Sequence, residues 1–381
     1  KPKQIRTFAF VMNSEKSIRI GGNHSPVIIS TNPEKDFKRW WQLTVGSHKN
    51  TPVIVIVDAA VHAAHQLFIE KILKSIPATV SSMHILPGGE SCKSLKVAET
   101  LLSEWVQKSL NRDTVVVCIG GGTITDLGGF LASVYNRGLR SVYIPTTLLA
   151  MTDAALGGKN ALNLLSAKNQ IGTIHFPLYT FVTTTFLSTL PGEEMKSGYV
   201  EMMKHAVLNS GNFIRQISSI SNPEAPPDLK LLIRSIHVKM KIVQADPLES
   251  KSRFLLNLGH TFGHAYESCF ADSGQPVSHG HAVALGLAEI LFISKNHYGF
   301  NAALAEEISE WLRLHFSSCN LPDWTMLSPY VLKDKKKTSD HIRLVVMRKP
   351  SAAEIIETNA AFCEKAHNDF LADLQQPIFQ V

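Results

Sequence analysis

The feature that most constrains the fold is the segment DTVVVCIGGGTITDLGG at 113–129, where a β-branched run enters three consecutive glycines. The run predicts a buried strand that ends in the glycines, and apolar residues at helical spacing predict a helix over 125–138. Two more strand-like runs, at 51–58 and 140–149, and a helical pattern at 94–110 alternate with this segment. Such alternation predicts a parallel sheet, and parallel sheets bind ligands at the carboxyl ends of their strands.

The second half of the chain shows helical periodicity instead. Helices are predicted over 191–208, 227–246, 277–297 and 301–316, and a single late strand is predicted over 341–347. A chain of 381 residues is too long for one small core. We therefore predict an α/β protein with a Rossmann-like parallel-sheet domain over 1–189 and a mainly α-helical domain over 190–381.

Composition excludes several classes of protein. Hydrophobic residues make up 44% of the chain and charged residues 18%, which suits a large globular core. The net charge of +6 is spread along the chain, and no basic tract is interleaved with aromatic residues, so we expect no nucleic-acid partner. No apolar run reaches about 18 residues, so we expect no membrane span. Scattered cysteines without a C-x-x-C pair, and the lack of a signal-peptide pattern, predict a cytoplasmic protein.

Two segments are candidates for phosphate binding. The strand–glycine–helix segment at 118–129 offers backbone N–H groups at a helix N-terminus, although its spacing is neither G-x-G-x-x-G nor a P-loop. The alternative is an ordinary tight turn. In the segment at 145–172, Lys159 and Lys168 lie near glycines and could approach a phosphate, while Asp153 could accept a hydrogen bond from a sugar hydroxyl. The alternative is that both lysines are solvated surface charges.

Three further segments carry candidate metal ligands: EMMK at 201–204, HTFGH at 260–264 and HGH at 279–281. Two histidines and one carboxylate, with open coordination positions, form a common catalytic zinc site. His260 and His264 are both flanked by glycine, and their spacing alone does not decide which histidines bind a metal. The alternative is that each histidine is a hydrogen-bonded core residue.

Six motifs, in order, resemble the 3-dehydroquinate synthase family of the sugar phosphate cyclases. They are GGGTITDLGGFLASVYNRG, PTTLLAMTDAALGGKN, KNQIG, TLPGEEMKSGYVEMMKH, LNLGHTFGHAYES and HGHAVALGL. The resemblance runs from about Asp58 to Met347. It implies an NAD-binding α/β domain and a helical domain, with zinc or cobalt and a sugar phosphate bound in the cleft between them, and it implies a homodimer.

The resemblance also assigns roles to individual residues. It makes Glu201, His260 and His279 the metal ligands and places His264 at the leaving phosphate, so the two neighbouring histidines have different roles. Other residues implied at the phosphate are Lys159, Asn169, Lys336 and, from the partner subunit, Arg137. Residues implied at the substrate's carboxylate and hydroxyls are Lys204, Lys239, Glu249, Arg253 and Asn257, with Asp153 expected among the catalytic groups. Residues implied at NAD are Asp58, Glu90, Lys93, Gly120, Gly121, Gly122, Asp126, Thr146, Thr147, Lys168, Phe186 and Thr189.

The reaction implied by the resemblance converts 3-deoxy-D-arabino-heptulosonate 7-phosphate to 3-dehydroquinate and phosphate through a transient oxidation, so no net redox change occurs. His281 stands where the family usually has glutamate, as in cyclases that act on sedoheptulose 7-phosphate. The retained Lys239, Arg253 and Asn257 favour a substrate with a carboxylate. The alternatives are a sibling cyclase acting on another sugar phosphate, a glycerol-dehydrogenase-like oxidoreductase, or a catalytically silent relative. Further departures from the family pattern are Ala60, Thr125 and Asn160.

Overall fold

The computed structural model describes residues 17–20, 25–48, 50–165, 167–316, 319–332 and 341–374. Lys336, a predicted phosphate ligand, lies outside the described residues. The strands are β1 (Ser17–Ile20), β2 (Val27–Ser30), β3 (Thr51–Asp58), β4 (Ala78–Leu86), β5 (Val115–Gly120), β6 (Arg140–Pro145), β7 (Lys159–Leu164), β8 (Ala167–Ile174), β9 (Tyr179–Val182), β10 (Ile342–Lys349) and β11 (Ala352–Thr358). The helices are α1 (Pro33–Thr44), α2 (Ala59–Ser75), α3 (Leu95–Gln107), α4 (Gly122–Val134), α5 (Gly192–Val207), α6 (Gly211–Ser218), α7 (Leu229–Ala245), α8 (His260–Asp272), α9 (His279–Tyr298), α10 (Ala302–His315), α11 (Trp324–Val331) and α12 (Ala360–Leu374).

The first half forms a seven-stranded sheet in the order β1-β2-β9-β6-β5-β3-β4. The six neighbouring strands β2, β9, β6, β5, β3 and β4 are parallel to one another. Strand β1 pairs antiparallel with β2 at one edge. Both faces of the sheet are covered, since Val53, Val55 and Val57 of β3 belong to one hydrophobic cluster and Ile54 and Ile56 to another. A strand buried on both faces reads as a continuous apolar run, which is why the sequence revealed it. The predicted fold class is confirmed.

The position of a ligand crevice follows from the strand order. The chain passes from β3 to β4 on one side, and β5 then lies on the other side of β3. The carboxyl ends of β3 and β5, at Asp58 and Gly120, therefore flank the point where the order reverses, which is where open α/β sheets bind ligands. Helix α4 begins at Gly122, directly after the glycine turn and earlier than the predicted start at 125. A Cβ on Gly121 would lie 3.1 Å from Thr147 Cγ2, so the glycines allow the loop after β6 to approach closely.

The second half is mainly helical, and α8 crosses α9 at very short range. A Cβ on Gly286 would lie 2.1 Å from the Gly259 carbonyl oxygen and 2.4 Å from the Gly263 backbone nitrogen. The glycines beside His260 and His264 therefore serve the contact between these helices. The break predicted near residue 190 coincides with the start of α5, although the division into two domains stays a prediction. Among the described residues, none of the helices combines the length and apolar character that crossing a bilayer requires.

The prediction of a single late strand was wrong. β10 pairs antiparallel with β11, with Val345 opposite Ile355. A lone strand would leave its backbone N–H and C=O groups without partners, so a second strand is the expected solution. The predicted strand over 140–149 ends at Pro145, and β1, β2 and α1 occupy the region before residue 51, for which the sequence pattern made no prediction.

Candidate metal and substrate site

Three side chains from three helices converge at the site. Glu201 lies on α5, while His260 and His279 are the first residues of α8 and α9. One ligand atom from each lies within 4.8 Å of the others. Glu201 Oε1 is 3.5 Å from His260 Nε2. Ligands around a four-coordinate zinc at about 2.1 Å lie roughly 3.4 Å apart, so this donor set fits such a cation with small side-chain adjustments.

The His260 imidazole is oriented for metal binding. Its Nδ1 lies 3.1 Å from the Leu258 carbonyl oxygen, to which it donates, so the lone pair of Nε2 faces Glu201. Burial lowers the pKa of His260 well below its usual value, and the charge of Lys204 lowers it further. A neutral imidazole whose second nitrogen is hydrogen-bonded to a carbonyl is the usual state of a metal-binding histidine.

Glu267 orients the other imidazole, and sequence reasoning missed it. Its Oε2 lies 3.5 Å from His279 Nδ1, and its Oε1 accepts from Lys168 Nζ at 2.8 Å. Burial alone would raise the pKa of Glu267, but His279 and Lys168 lower it to about 2. The available signal was spacing, since Glu267 lies seven residues after His260 and thus on the same helix face. Lys168, assigned to NAD by the resemblance, contacts this carboxylate.

Asp153 lies at the centre of a buried charge cluster. Its Oδ1 is 2.7 Å from Lys239 Nζ, 3.5 Å from Lys204 Nζ and 3.7 Å from His205 Nε2, and Lys204 also pairs with Glu201. Burial alone would raise the pKa of Asp153, but the two lysines hold it well below its usual value. Asp153, Glu201 and His205 could also surround a cation. The two ammonium groups already beside Asp153 oppose a further positive charge there.

The turn between α7 and α8 presents Arg253 to the same region. The Asp246 carboxylate accepts from the backbone N–H groups of Lys251 at 2.6 Å and Arg253 at 3.0 Å, which holds the turn. The buried Arg253 side chain donates to the Pro247 carbonyl at 2.7 Å. A Cβ on Gly157 would lie 2.6 Å from the Arg253 guanidinium, so only glycine leaves room for it.

Two other predicted substrate residues border a cavity at this turn. Glu249 pairs with Lys159 at the start of β7, and Asn257 ends the turn. His264 is exposed, and its ring centroid lies 5.3 Å from that of His260 and 6.0 Å from that of His279. The exposed His264 therefore lies beside two of the three metal-ligand candidates.

The predicted NAD residues lie at the carboxyl edge of the sheet. Asp58 Oδ1 accepts from two backbone N–H groups at the start of α2. The buried Lys93 ammonium lies 2.5 Å from both Asp126 Oδ2 and Asn169 Oδ1, and it thereby links the predicted cofactor and phosphate residues. Burial raises the pKa of Asp126 to about 6 against the opposing effect of Lys93. Glu90 accepts from Asn163 at 2.5 Å.

The remaining cofactor candidates follow β6 and β9. The Thr146 hydroxyl is buried without a hydrogen-bond partner in the described part of the chain, and Thr147 accepts from the backbone of the next helical turn. His65 Nε2 lies 2.6 Å from Thr189 Oγ1, and its ring packs 5.1 Å from the buried Phe186 ring. Sequence reasoning missed His65, for which no motif signal existed.

Arg137, predicted to reach the phosphate of a partner subunit, lies far from the glycine turn of its own chain. It is exposed and follows α4, whose 13 residues separate it from the glycine turn by roughly 20 Å. Asn136 and Arg137 both have positive φ, at 49° and 65°. Two departures from the family pattern, Asn160 and Thr125, form hydrogen bonds that explain them. Asn160 accepts a hydrogen bond from the Tyr143 hydroxyl and donates one to the Gly158 carbonyl, each at 2.8 Å. The Thr125 hydroxyl donates to the Gly122 carbonyl at 3.0 Å.

His281, the most notable departure, contacts an apolar neighbourhood. Its ring centroid lies 5.7 Å from that of Phe316, and its Nε2 lies 4.0 Å from Cys319 Sγ.

The family models and the curated relatives that match this chain name the same family, and the solved structures share its fold. Residues 83–197 match the model of the 3-dehydroquinate synthase N-terminal region, and residues 198–337 match that of the C-terminal region. A 3-dehydroquinate synthase of Legionella pneumophila (strain Lens) is 33% identical over 369 residues, covering 95% of this chain and 97% of that protein. Among solved structures, 2-deoxy-scyllo-inosose synthase complexed with carbaglucose-6-phosphate, NAD+ and Co2+ has a TM-score of 0.76 at 21% identity, covering 93% and 99% of the two chains. The 2-epi-5-epi-valiolone synthase of Streptomyces hygroscopicus subsp. jinggangensis 5008, with NAD+ and Zn2+ bound, has a TM-score of 0.73 at 20% identity, covering 97% and 100%.

Proposed function

This chain belongs to the 3-dehydroquinate synthase family, and we propose on that premise that it converts 3-deoxy-D-arabino-heptulosonate 7-phosphate to 3-dehydroquinate and phosphate. The steps proposed are transient oxidation at C5, elimination of phosphate, reduction and intramolecular aldol closure. The observation that carries the proposal is the convergence of Glu201, His260 and His279 beside the Asp153 charge cluster.

The cofactors proposed are NAD and one zinc or cobalt ion. The ion would be held by Glu201, His260 and His279, and NAD by the carboxyl edge of β3, β5 and β6. When bound, the two would supply hydride acceptance and polarisation of the substrate oxygen at C5. Relatives of the fold with NAD+ and Co2+ or Zn2+ bound support this assignment.

The chain's own residues would orient the substrate by charge. Lys239 and Arg253 carry buried positive charge, and a guanidinium recognises a carboxylate through two hydrogen bonds, so the C1 carboxylate is proposed to bind there. Burial lowers the pKa of Lys204, but Asp153 and Glu201 raise it above its usual value, so this ammonium stays charged beside the reacting carbon. His264 and Lys159 would stabilise the departing phosphate.

A homodimer is part of the proposal. Arg137 is exposed at the far end of α4 from the glycine turn, and it is proposed to reach the phosphate bound by another subunit. Mixing Arg137→Met with His260→Ala subunits tests this. Hybrid dimers would regain one intact site, so activity should return on mixing. Activity that stays absent in hybrids of verified composition would contradict the shared site.

The decisive assay measures phosphate release with NAD and zinc present. Heptulosonate phosphate should release phosphate, whereas sedoheptulose 7-phosphate, which lacks the carboxylate, should not. Lys239→Met should raise KM for heptulosonate phosphate, and Lys241→Met, an exposed lysine on the same helix, serves as the matched control. Turnover of sedoheptulose 7-phosphate alone would establish a sibling cyclase instead.

A further inference from the structure

A cavity of about 290 Å³ lies beside the turn that carries the substrate residues. Its lining includes three cationic side chains, Lys159, Lys251 and Arg343, and one carboxylate, Glu249. The lining therefore carries a net charge of two positive units. Neither Lys251 nor Arg343 has a role in the function proposed above.

Arg343 is held in place from two directions. Its guanidinium carbon lies 4.8 Å from the centroid of the Phe254 ring, a cation–π contact that limits its motion. Its backbone carbonyl accepts from Thr261 Oγ1 at 3.3 Å, which ties β10 to the start of α8 directly beside His260. The exposed Arg343 side chain is thus positioned at the cavity by contacts that do not use its N–H groups.

In the described part of the chain, no carboxylate neutralises the charges of Arg343 and Lys251. Neither side chain forms an ion pair with a carboxylate of the described residues, whereas Lys159 pairs with Glu249. Unpaired cations that line a concave polar site attract anions, and the planar guanidinium suits an oxyanion that accepts two parallel hydrogen bonds.

We propose that Arg343 and Lys251 bind the phosphoryl group of the substrate together with Lys159. This inference rests on the function proposed above and extends its phosphate subsite to the β10–β11 hairpin. A phosphomonoester carries close to two negative charges at neutral pH, which match the net charge of the lining. The substrate's carboxylate carries one, and the function proposed above already assigns it to the buried Arg253 and Lys239.

The test measures binding of inorganic phosphate to the protein loaded with NAD and zinc, by calorimetry, in the unmodified chain and in Arg343→Met. Losing one charge-assisted contact should weaken phosphate binding roughly 10- to 100-fold. KM for heptulosonate phosphate should rise by a similar factor, and kcat should change far less. Lys251→Met should show a smaller loss in the same direction.

The matched control is Arg348→Met. Arg348 lies on the same strand, and its guanidinium also lies over an aromatic ring, that of Tyr298, at 5.8 Å. It pairs with Glu354 at 2.6 Å and is outside the cavity, so phosphate binding should be unchanged.

Three outcomes would overturn the inference. One is unchanged phosphate binding in Arg343→Met. Another is no phosphate binding by the unmodified protein. The third is a loss of affinity for the dephosphorylated sugar acid alone, which would assign Arg343 to the carboxylate. Failure of the unmodified enzyme to release phosphate from heptulosonate phosphate would refute the proposed function, but the binding comparison would still decide the role of Arg343.

Discussion

Gly286→Ala should disturb the metal site although residue 286 binds nothing. The added Cβ would lie 2.1 Å from the Gly259 carbonyl oxygen, and ordinary contact begins at 3.4 Å, so α8 and α9 must separate by about 1.3 Å. Both neighbours are backbone atoms and cannot rotate away. Overpacking of this kind costs about 1–3 kcal/mol of stability.

The separation should also weaken metal binding, because His260 begins α8 and His279 begins α9. Metal–ligand distances tolerate only about 0.2 Å of change, so zinc affinity should fall at least about tenfold. Zinc affinity is measured by competition with a chromophoric chelator, and stability by thermal unfolding of the metal-free protein.

Gly211→Ala is the matched control for this substitution. Its Cβ would lie 3.7 Å from Leu304 Cδ1, an ordinary contact, and alanine favours the helix, so stability should stay equal or rise slightly. If Gly286→Ala retained the zinc affinity and thermal stability of the unmodified chain, the reasoning about the helix contact would be refuted.

Three further predictions concern single histidines and carboxylates. His260→Ala should abolish zinc binding, whereas His264→Ala should retain zinc and slow phosphate elimination. An equal loss of zinc in both variants would contradict the assignment of His260 to the metal and His264 to the phosphate. Glu267→Gln removes the carboxylate from His279 and should weaken zinc binding about 10- to 100-fold by equilibrium dialysis, and an unchanged affinity would argue against that role. Burial alone would lower the pKa of His367, but its hydrogen bond to Glu289 raises the pKa above the usual value. The His367–Glu289 contact should therefore stabilise the fold fully below about pH 6.5. This stabilisation should decline as pH rises through the folded-state pKa of His367. His367→Gln should flatten that decline in urea unfolding midpoints measured from pH 6 upward, and an identical pH profile would contradict the assignment.

The sequence determined the sheet and the candidate residue types because these depend on local patterns. Val115–Gly120 is apolar throughout and enters glycines, which predicts a buried strand and a ligand turn whatever lies elsewhere in the chain. The motifs around Glu201, His260 and His279 likewise identified the family. Sequence patterns also placed four of the eight helices described in the second half, α5, α7, α9 and α10, within two residues of their observed bounds.

Only the tertiary structure decided which charges meet. Glu267 contacts His279 and Lys168, and Lys93 links Asp126 to Asn169, yet no periodicity joins segments so distant in the chain. Side-chain pairing of this kind depends on how helices cross, and the close crossing of α8 and α9 depends on glycines that meet only in the folded chain. For the same reason the cavity beside Arg343 was invisible in the sequence, since β10 and the turn after α7 become neighbours only when the chain folds.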